Sequence, residues 1–227
     1  MSKARVVQLL ECDPGLADGL AQDERAIAMK ALPVQVAALR KGPWCPEAKA
    51  PESGHLGYLI VKGLLVRRIE VAQGASIELL GQGELIRPWE EDTSSFCRPS
   101  WEVVEATTVA QLGAPIARCL GQWPPLVSNL LGRGVRRSRA LAADVAAANI
   151  VGLEERLLTA LWQLAETWGS AETDGVHLAI RLPHRLLAEL MGARRPSVTS
   201  ALAGLKGDGR LSRTPDGFWI LRGEPPH

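Results

Sequence analysis

The stretch PHRLLAELMGARRPSVTSALAGLKGDG, residues 183–209, decides the fold of this chain. It opens with proline, which suits a first helical turn, and Gly192 follows where that helix must stop and the backbone must turn. Pro196 marks a second helix start after the turn. Apolar residues repeat at the spacing of one buried helical face, at Leu186, Leu187, Leu190, Val198, Leu202 and Leu205. Two short helices joined by a glycine turn are therefore predicted, the pattern of a helix-turn-helix.

The outward face of the predicted second helix is basic and hydroxylic. Its members, none of them acidic, are Arg194, Arg195, Ser197, Thr199, Ser200 and Ala201. An α-helix fits the major groove of DNA, arginine can bond guanine through two hydrogen bonds, and hydroxyls near a helix N-terminus can bind phosphate. Leu211 to Leu221 then predicts two short strands around Gly217, a hairpin "wing". A DNA-binding surface is predicted; the alternative is an ordinary core with a solvated basic face.

The distribution of charge supports the DNA-binding interpretation more than the total does. The 227 residues have a formal net charge of only +1, which argues against an indiscriminate polyanion binder. From Arg181 to Arg222, however, eight lysines and arginines stand against three acids, so this segment has a charge of +5 and the remainder −4. With 46% apolar residues, the chain is long enough for two modest domains.

The middle of the chain has the period-two pattern of a β-structure. Between Gly57 and Leu112, apolar and β-branched runs alternate with glycines. Strands are predicted at Tyr58–Val61 and Gly63–Val66 around a turn at Lys62–Gly63, and at Arg67–Val71, Ser76–Leu80 and Val103–Leu112. Many short strands at even spacing predict a small β-barrel or roll. Before them, Val6 to Leu39 predicts one or two short helices, and Lys41 to Gly54 a loop rich in proline and glycine.

Between the roll and the helix-turn-helix, helical patterns dominate. Pro124-Pro125 is predicted to end the roll, and Leu126 to Ala148 predicts a long helix. Its rough apolar stripe is Leu126, Leu130, Leu131, Val135, Leu141 and Val145. We interpret Arg133, Arg136, Arg137 and Arg139 on this helix as solvated flanks; the alternative is that they bind an anion in a sensor pocket. A hinge at Asn149–Gly152, a helix at Leu153–Trp168, a loop at Gly169–Gly175 and a strand at Val176–Leu182 follow.

These motifs resemble the CRP/FNR superfamily of bacterial transcription factors, whose namesakes are the cyclic-AMP receptor and the fumarate-nitrate regulator. Gly192 to Thr199 resembles that family's turn and recognition-helix start, while Tyr58–Gly63 and Leu80–Ile86 resemble turns of its jelly-roll sensor domain. The resemblance implies an α+β chain with three parts. These are a cyclic-nucleotide-binding-like β-roll over residues 1–124, a long dimerisation helix over 125–149, and a C-terminal winged helix-turn-helix over 150–227.

The resemblance also implies roles for individual residues. Arg195 corresponds to the arginine that contacts a guanine, and Arg194 and Ser197 correspond to backbone-contacting positions. The full set of candidate DNA-binding residues is Arg194, Arg195, Ser197, Thr199, Ser200, Lys206 and Arg213. The chain departs from the family at Pro196, where an acidic residue is usual, and at Ser200, where a second base-reading arginine is usual. The family's best-known operator is therefore not carried over.

The expected cyclic-nucleotide pocket is altered. The family places a Gly-Glu pair and then an Arg-Ser or Arg-Thr here, but this chain has RPWEED at residues 87–92 and RPSW at residues 98–101. Proline lacks the backbone N–H that would bind phosphate, and adjacent acids repel an anion. Cyclic-nucleotide binding of the usual kind is therefore not expected. The candidate residues for another effector are Arg87, Trp89, Arg98 and Trp101; the alternative for the two tryptophans is packing in the core.

Enzymatic activity is not expected from this sequence. We find no GxSxG elbow, P-loop, GxGxxG or HExxH motif, and no histidine has an evident nucleophile partner. The adjacent acids at residues 90–92 suit either a metal or acid/base site or a solvated loop, and we interpret them as a solvated loop. The cysteines Cys12, Cys45, Cys97 and Cys119 are scattered, which predicts free, mostly buried thiols and no zinc or iron–sulfur site.

Together these observations predict a cytoplasmic, homodimeric transcription regulator on an inverted-repeat operator. No apolar run spans a bilayer and no leader is evident, so no membrane partner is expected. The expected partners are double-stranded DNA, a second copy and RNA polymerase, with no cofactor. The alternative keeps the fold but changes the function to an effector- or redox-sensing protein-interaction module with weak DNA affinity; the missing second arginine leaves this open.

Overall fold

Antiparallel strands form the N-terminal part of the computed structural model, which describes residues 5–46, 53–72, 74–90 and 97–226. The strands are β1 (Arg5–Gln8), β2 (Pro33–Leu39), β3 (Gly42–Trp44), β4 (Gly57–Val71), β5 (Gly74–Leu80), β6 (Leu85–Ile86) and β7 (Cys97–Leu112). They are ordered β1-β2-β7-β4-β5, with β3 beside β7 and β6 beside β4. The long pairing of β4 with β7 and the short strands around it form the predicted β-roll.

The predicted turn at Lys62–Gly63 was wrong, because both residues lie within strand β4. The strand continues through this point, and its pairing with β7 shifts register between Ile60 and Leu65. Gly63 has φ +95°, and a Cβ there would lie 2.6 Å from the Thr107 Cα. A glycine inside a strand pattern therefore marks a β-bulge in this chain, where the two backbones approach too closely for any side chain.

The N-terminal residues contain more strand than the sequence predicted. Between β1 and β2 lie helix α1 (Leu9–Cys12), a 3-10 turn (Pro14–Ala17) and helix α2 (Gln22–Ala31). The prediction of helices alone over Val6–Leu39 was therefore wrong in part, because β2 pairs with the distant β7 and β1 pairs with β2. Likewise β3 lies inside the predicted loop Lys41–Gly54, where Trp44 pairs with Trp101; residues 47–52 lie outside the described residues.

Two apolar clusters stabilise the roll. One lies beneath the N-terminal helices and includes Leu9, Leu10, Leu16, Leu32, Leu112 and Leu126. The other fills the roll and includes Ile60, Leu65, Leu80, Trp101 and Val103. Burying each such leucine or valine stabilises the fold by roughly 1.5–3 kcal/mol before the cost of ordering the chain.

After the roll come helix α3 (Ala114–Leu120), which was not predicted, and the long helix α4 (Pro124–Ala147). Pro124 and Pro125 begin α4, since proline is tolerated in a first helical turn. The chain divides into two compact units, residues 1–137 and 138–227, so the boundary falls within α4. Among the described residues, no helix has both the length and the apolar character that crossing a membrane requires.

The C-terminal unit contains the helix-turn-helix. Its further elements are α5 (Leu153–Trp168), β8 (Gly169–Glu172), β9 (Gly175–Leu178), α6 (His184–Met191), α7 (Arg195–Gly207), β10 (Leu211–Arg213) and β11 (Trp219–Leu221). The sheet is ordered β10-β11-β9-β8. Helix α5 and the wing hairpin are as predicted. The predicted loop Gly169–Gly175 was wrong, because β8 pairs with β9, and β9 ends before the predicted strand does.

Candidate functional site

The turn between α6 and α7 is built as the sequence predicted. Pro183 precedes the first residue of α6, and Gly192 ends the helix in the left-handed region, at φ 58° and ψ 32°. The amide of Ala193 donates a hydrogen bond of 2.9 Å to the Ala188 carbonyl, which closes the helix end. Helix α7 then begins at Arg195, with Pro196 in its first turn. The two helices of the motif are thus fixed at their junction by backbone bonds.

Helix α7 buries one face against the rest of its unit. Val198, Leu202 and Leu205 are buried as predicted, but Ala201 is buried too, which corrects its predicted outward position. Ala201 follows Val198 by three residues and therefore lies on the same helical face. Helix α5 packs closely against α7, since a Cβ at Gly204 would lie 2.4 Å from a Glu154 carboxylate oxygen.

The opposite face of α7 presents the predicted DNA-binding side chains to solvent. Arg194, Arg195, Ser197, Thr199 and Ser200 are all exposed. Within the part of the chain that the structure describes, no carboxylate pairs with Arg194 or Arg195. The Thr199 hydroxyl donates a hydrogen bond of 3.0 Å to the Arg195 carbonyl, while Ser197 and Ser200 remain at the surface. The helix start therefore offers uncompensated positive charge and hydroxyl groups to an anionic partner.

The remaining two candidates, Lys206 and Arg213, lie together over a buried tryptophan. Trp219 is 0% exposed, and its indole N–H donates a hydrogen bond of 2.9 Å to the Leu182 carbonyl. The Lys206 ammonium lies 5.1 Å and the Arg213 guanidinium 5.0 Å from the centre of its ring. This is cation–π geometry. It holds two positive charges, from α7 and from β10, at one place on the surface.

The wing turn is fixed by its threonine and glycine. The Gly217 amide donates to the Thr214 carbonyl at 2.9 Å, and the Phe218 amide donates to the Thr214 hydroxyl at 3.0 Å. Gly217 has φ +92°, a conformation that other residues rarely adopt. The Arg213 guanidinium donates to the Gly217 carbonyl at 3.1 Å. The turn thus holds Arg213 at the base of the wing.

His184 is a member of this surface that the sequence did not identify. Its ring stacks on Trp219 at 6.0 Å, and its Nδ1 lies 3.0 Å from the Thr199 hydroxyl. Burial, followed by the charges of Arg213, Lys206 and Arg195, lowers the pKa of His184. The sequence feature that could have identified His184 is its position in the first turn of a helix within a basic segment. Its stacking on Trp219 depends on the fold and is not visible in the sequence.

In the N-terminal unit, a cleft of about 290 Å³ is lined by Arg67, Leu85, Ile86, Arg87, Trp101 and Arg137. The almost fully buried carboxylate of Glu78 bridges two of these arginines. It lies 2.7 Å from the Arg67 Nη2 and 2.5 Å from the Arg137 Nε. Nearby, burial raises the pKa of Glu84, although Arg137 opposes that effect. Two of the three arginines of the cleft, Arg67 and Arg137, are therefore already engaged by one carboxylate of the protein itself.

Two arginines of α4 are not the solvated flanks that the sequence predicted. Arg137 lines the cleft and pairs with Glu78. Arg133 pairs with Asp13 and also donates to the Gly83 carbonyl at 3.1 Å. Both contacts are made by residues far apart in the sequence, which is why spacing along the helix did not indicate them.

The four candidate effector residues are not gathered in one cavity. Arg87 and Trp101 line the arginine-rich cleft, whereas Trp89 and Trp101 line a second cleft of about 410 Å³. The second cleft is mostly apolar and is also lined by Trp44 and the prolines Pro43, Pro46, Pro88 and Pro99. Trp101 is itself a buried core residue, at 6% exposure. The side chain of Arg98, and the acids at residues 90–92, lie outside the described side chains.

The described residues include three cysteines and one group of possible metal ligands. Cys12, Cys45 and Cys119 are free thiols. Cys45 is exposed and the other two are half-buried, so the prediction of mostly buried thiols was wrong. The side chain of Cys97 is not among the described side chains. Glu172, Asp174 and His177 come together on the β8–β9 hairpin. There the His177 ring lies 2.6 Å from the Asp174 carboxylate, and this hydrogen bond lowers the pKa of Asp174. Both acids are exposed, as acids without a metal commonly are.

Known proteins resemble both units. Residues 155–224 match the model of the Crp-like helix-turn-helix domain. A global nitrogen regulator from Synechocystis sp. is 27% identical over 164 residues, which cover 69% of this chain and 72% of that protein.

The solved structures agree in fold. A cyclic nucleotide-binding domain containing protein from Listeria monocytogenes EGD-e gives a TM-score of 0.62 at 16% identity, over 82% of this chain and 88% of that one. A transcriptional regulator of the CRP/FNR family from Thermus thermophilus gives a TM-score of 0.53 at 21% identity, over 83% and 93%. Residues 155–224 thus match a Crp-like helix-turn-helix domain, and the chain shares its fold with these cyclic-nucleotide-binding-domain and CRP/FNR-family structures.

Proposed function

We propose that the chain acts as a homodimer on an inverted-repeat operator. Residues 1–124 would serve as sensor, 125–149 as dimerisation segment and 150–227 as DNA-binding domain. The observation that carries the proposal is the exposed start of α7, where Arg194 and Arg195 are unpaired among the described residues and hydroxyls surround them. Arginines in that position can bond phosphates and guanine edges without first breaking an ion pair.

Homodimerisation is supported by an apolar stripe on α4. Leu131, Val135 and Val145 are 67%, 51% and 71% exposed. Leu131 and Val135 lie on the helix face opposite Asn129, whose side-chain amide donates to the Leu16 and Asp18 carbonyls. Apolar side chains at helical spacing on a solvated face are the pattern of a helix-pairing surface. A second copy of α4 is the occupant we propose, since the same stripe on both copies gives a self-complementary interface.

The proposed geometry predicts an operator with two-fold symmetry. Two α7 helices would enter successive major grooves about 34 Å apart, so the half-sites should be inverted and one helical turn apart. Selection of bound sequences from a random duplex library, followed by gel shifts in increasing salt, tests this. We expect an enriched inverted repeat and an affinity that falls steeply with salt. Failure to enrich any sequence would instead favour the protein-interaction module.

Arg195 is the residue that we propose to read a guanine. Arg195→Ala should weaken operator binding by about 1–3 kcal/mol and relax the preference at one base pair of each half-site. Measuring affinities for the operator and its single-base variants checks this. Arg118→Ala, which removes an exposed arginine from α3, is the matched control and should leave binding unchanged. Equal weakening for all sequences would make Arg195 a phosphate contact rather than a base contact.

For the sensor domain we propose an effector other than a cyclic nucleotide. The support is Glu78, whose carboxylate already pairs with Arg67 and Arg137 in the cleft where an anionic ligand would need them. Arg87, Trp89, Arg98 and Trp101 are the residues that we propose for the effector. The regulated step would be recruitment or exclusion of RNA polymerase, measured by transcription from an operator-bearing template.

Calorimetric titration with cyclic AMP tests the character of the cleft. No heat of binding is expected, because a cyclic phosphate would have to displace the buried Glu78 carboxylate from two arginines and separating that ion pair is costly. The same titration on Glu78→Gln, in which the internal negative charge is absent, provides the comparison. Tight binding by the unaltered protein would contradict the proposal.

A further inference from the structure

His184 occupies a defined place among the proposed DNA contacts. It is the first residue of α6, the helix that precedes the recognition helix. Its Nδ1 lies 3.0 Å from the Thr199 hydroxyl, which itself donates to the Arg195 carbonyl. Since that hydroxyl hydrogen is already used, the Thr199 oxygen must accept a hydrogen bond from the His184 Nδ1–H. The other ring nitrogen, Nε2, is then left without a protein partner among the described residues.

The charged groups that face His184 are all positive. They are Arg213 from the wing, and Lys206 and Arg195 from α7. Two of them, Lys206 and Arg213, lie over Trp219, the same ring on which His184 stacks. Among the described residues, no carboxylate bonds to His184, Lys206 or Arg213. The cluster therefore combines a half-buried imidazole, an uncompensated group of cations and the amino end of a helix, which together suit a phosphate.

We infer that His184 is a phosphate contact of the DNA interface, and that it binds as an imidazolium whose proton is taken up from solvent when the duplex binds. This rests on the proposed function. In a helix-turn-helix the first helix crosses the DNA backbone, so its amino end is the place where a phosphate is expected. The protonated ring would keep its bond to Thr199 through Nδ1 and donate from Nε2 to a phosphate oxygen.

The proton uptake follows from the electrostatics of the cluster. In the free protein, burial and the cations of Arg213, Lys206 and Arg195 lower the pKa of His184, so the ring is neutral at neutral pH. Phosphates beside the same cations offset their repulsion and favour the charged ring. The complex then binds more protons than the free protein, and DNA affinity must rise as pH falls. The folded free unit, in contrast, loses stability as pH falls through about 6.5, because the unfolded chain binds the proton more readily.

Duplex binding as a function of pH tests the inference. The probe is a duplex of about 30 base pairs of arbitrary sequence at low salt, where phosphate contacts determine the affinity. From about pH 8 to about pH 6, we expect the affinity of the unaltered protein to rise about tenfold, which corresponds to an average uptake of roughly half a proton over that range. His184→Gln, which keeps a donor for Thr199, should lose that rise, and His184→Arg should bind tightly at both pH values. His177→Gln removes a histidine of the same unit and should keep the rise.

The outcomes separate this inference from the proposed function. No duplex binding by the unaltered protein at any pH would overturn the proposed function. Duplex binding with the same pH dependence in His184→Gln would overturn the inference alone. Glutamine at position 184 also removes the ring that stacks on Trp219 and could therefore destabilise the unit. A second measurement, on the unaltered protein, is independent of such a folding defect. Nuclear magnetic resonance titration of the labelled imidazole should show a higher pKa with DNA than without it; an unchanged or lower pKa would overturn the inference.

Discussion

Replacing Trp219 with alanine should strongly destabilise the C-terminal unit and weaken DNA binding. Trp219 is fully buried, and its indole N–H bonds the Leu182 carbonyl just before the helix-turn-helix. Truncating a buried tryptophan costs about 3–5 kcal/mol. Since a domain has only about 5–15 kcal/mol of stability, this loss is a large part of the total. Denaturant unfolding should show one transition shifted to much lower denaturant and the transition of the β-roll unchanged.

The control for this prediction is Trp219→Phe, which keeps an aromatic ring for Lys206 and Arg213 but loses the N–H. It should cost about 1–3 kcal/mol, since one buried carbonyl loses its partner. DNA binding should persist in this variant. If Trp219→Ala left both unfolding transitions in place, the ring would not be the centre of the C-terminal core, and the placement of the two cations over it would lose its structural basis.

Val135→Asp should separate the proposed dimer and, with it, operator binding. Val135 lies in the middle of the exposed stripe of α4. In a symmetric interface the substitution buries two carboxylates next to each other, and unpaired buried charges are strongly destabilising. We expect a loss of about 4 kcal/mol, which corresponds to roughly a thousandfold weaker dimer. Sedimentation at several concentrations measures the dimer, and gel shifts on the operator measure the functional loss.

Ala140→Asp provides the matched control for the dimer. Ala140 is also exposed on α4 but lies five residues from Val135, on the other side of the helix. An aspartate there should leave both the dimer and operator binding unchanged. If Val135→Asp remained a dimer with full affinity, the copies would have to associate through another surface, and the proposed role of α4 would be wrong.

The Trp219 prediction concerns a ring that orders part of the proposed DNA-binding surface. Lys206, Arg213 and His184 are held against Trp219, while Arg194 and Arg195 extend from the start of α7. Side chains that are already ordered lose less conformational freedom on binding than free lysines and arginines do. The contacts with Trp219 would therefore position part of the proposed interface before DNA binds.

The helix-turn-helix was predictable from sequence because its signals are local. Pro183 and Pro196 near the helix starts, Gly192 in the turn and the leucine spacing all act within a few residues. The prediction failed at Ala201. This residue was assigned to the outward face of α7 with the other small side chains, but it lies on the buried face. Helix α5 and the wing were predictable for the same reason, since amphipathic spacing and a Thr214–Gly217 turn specify them without distant partners.

The strands that depend on distant pairing were not predictable. β1, β2 and β3 have weak patterns of their own, and each is a strand because another backbone satisfies its N–H and C=O groups. Gly63 shows the same limit, because a glycine inside an apolar run suits either a turn or a bulge. The long-range pairing of β4 with β7 decides between them.

By itself the sequence determined the two helices of the motif, the wing, the basic charge of residues 181–222 and part of the apolar stripe of α4, of which Leu126 lies instead in the core of the roll. Only the tertiary structure decided that Glu78 pairs with both Arg67 and Arg137 in the roll, and that His184, Lys206 and Arg213 meet at Trp219. The physical reason is distance along the chain. Caps, turns and helical faces are specified by neighbouring residues, whereas an ion pair or a stacked ring exists only when the fold brings its members within a few ångströms.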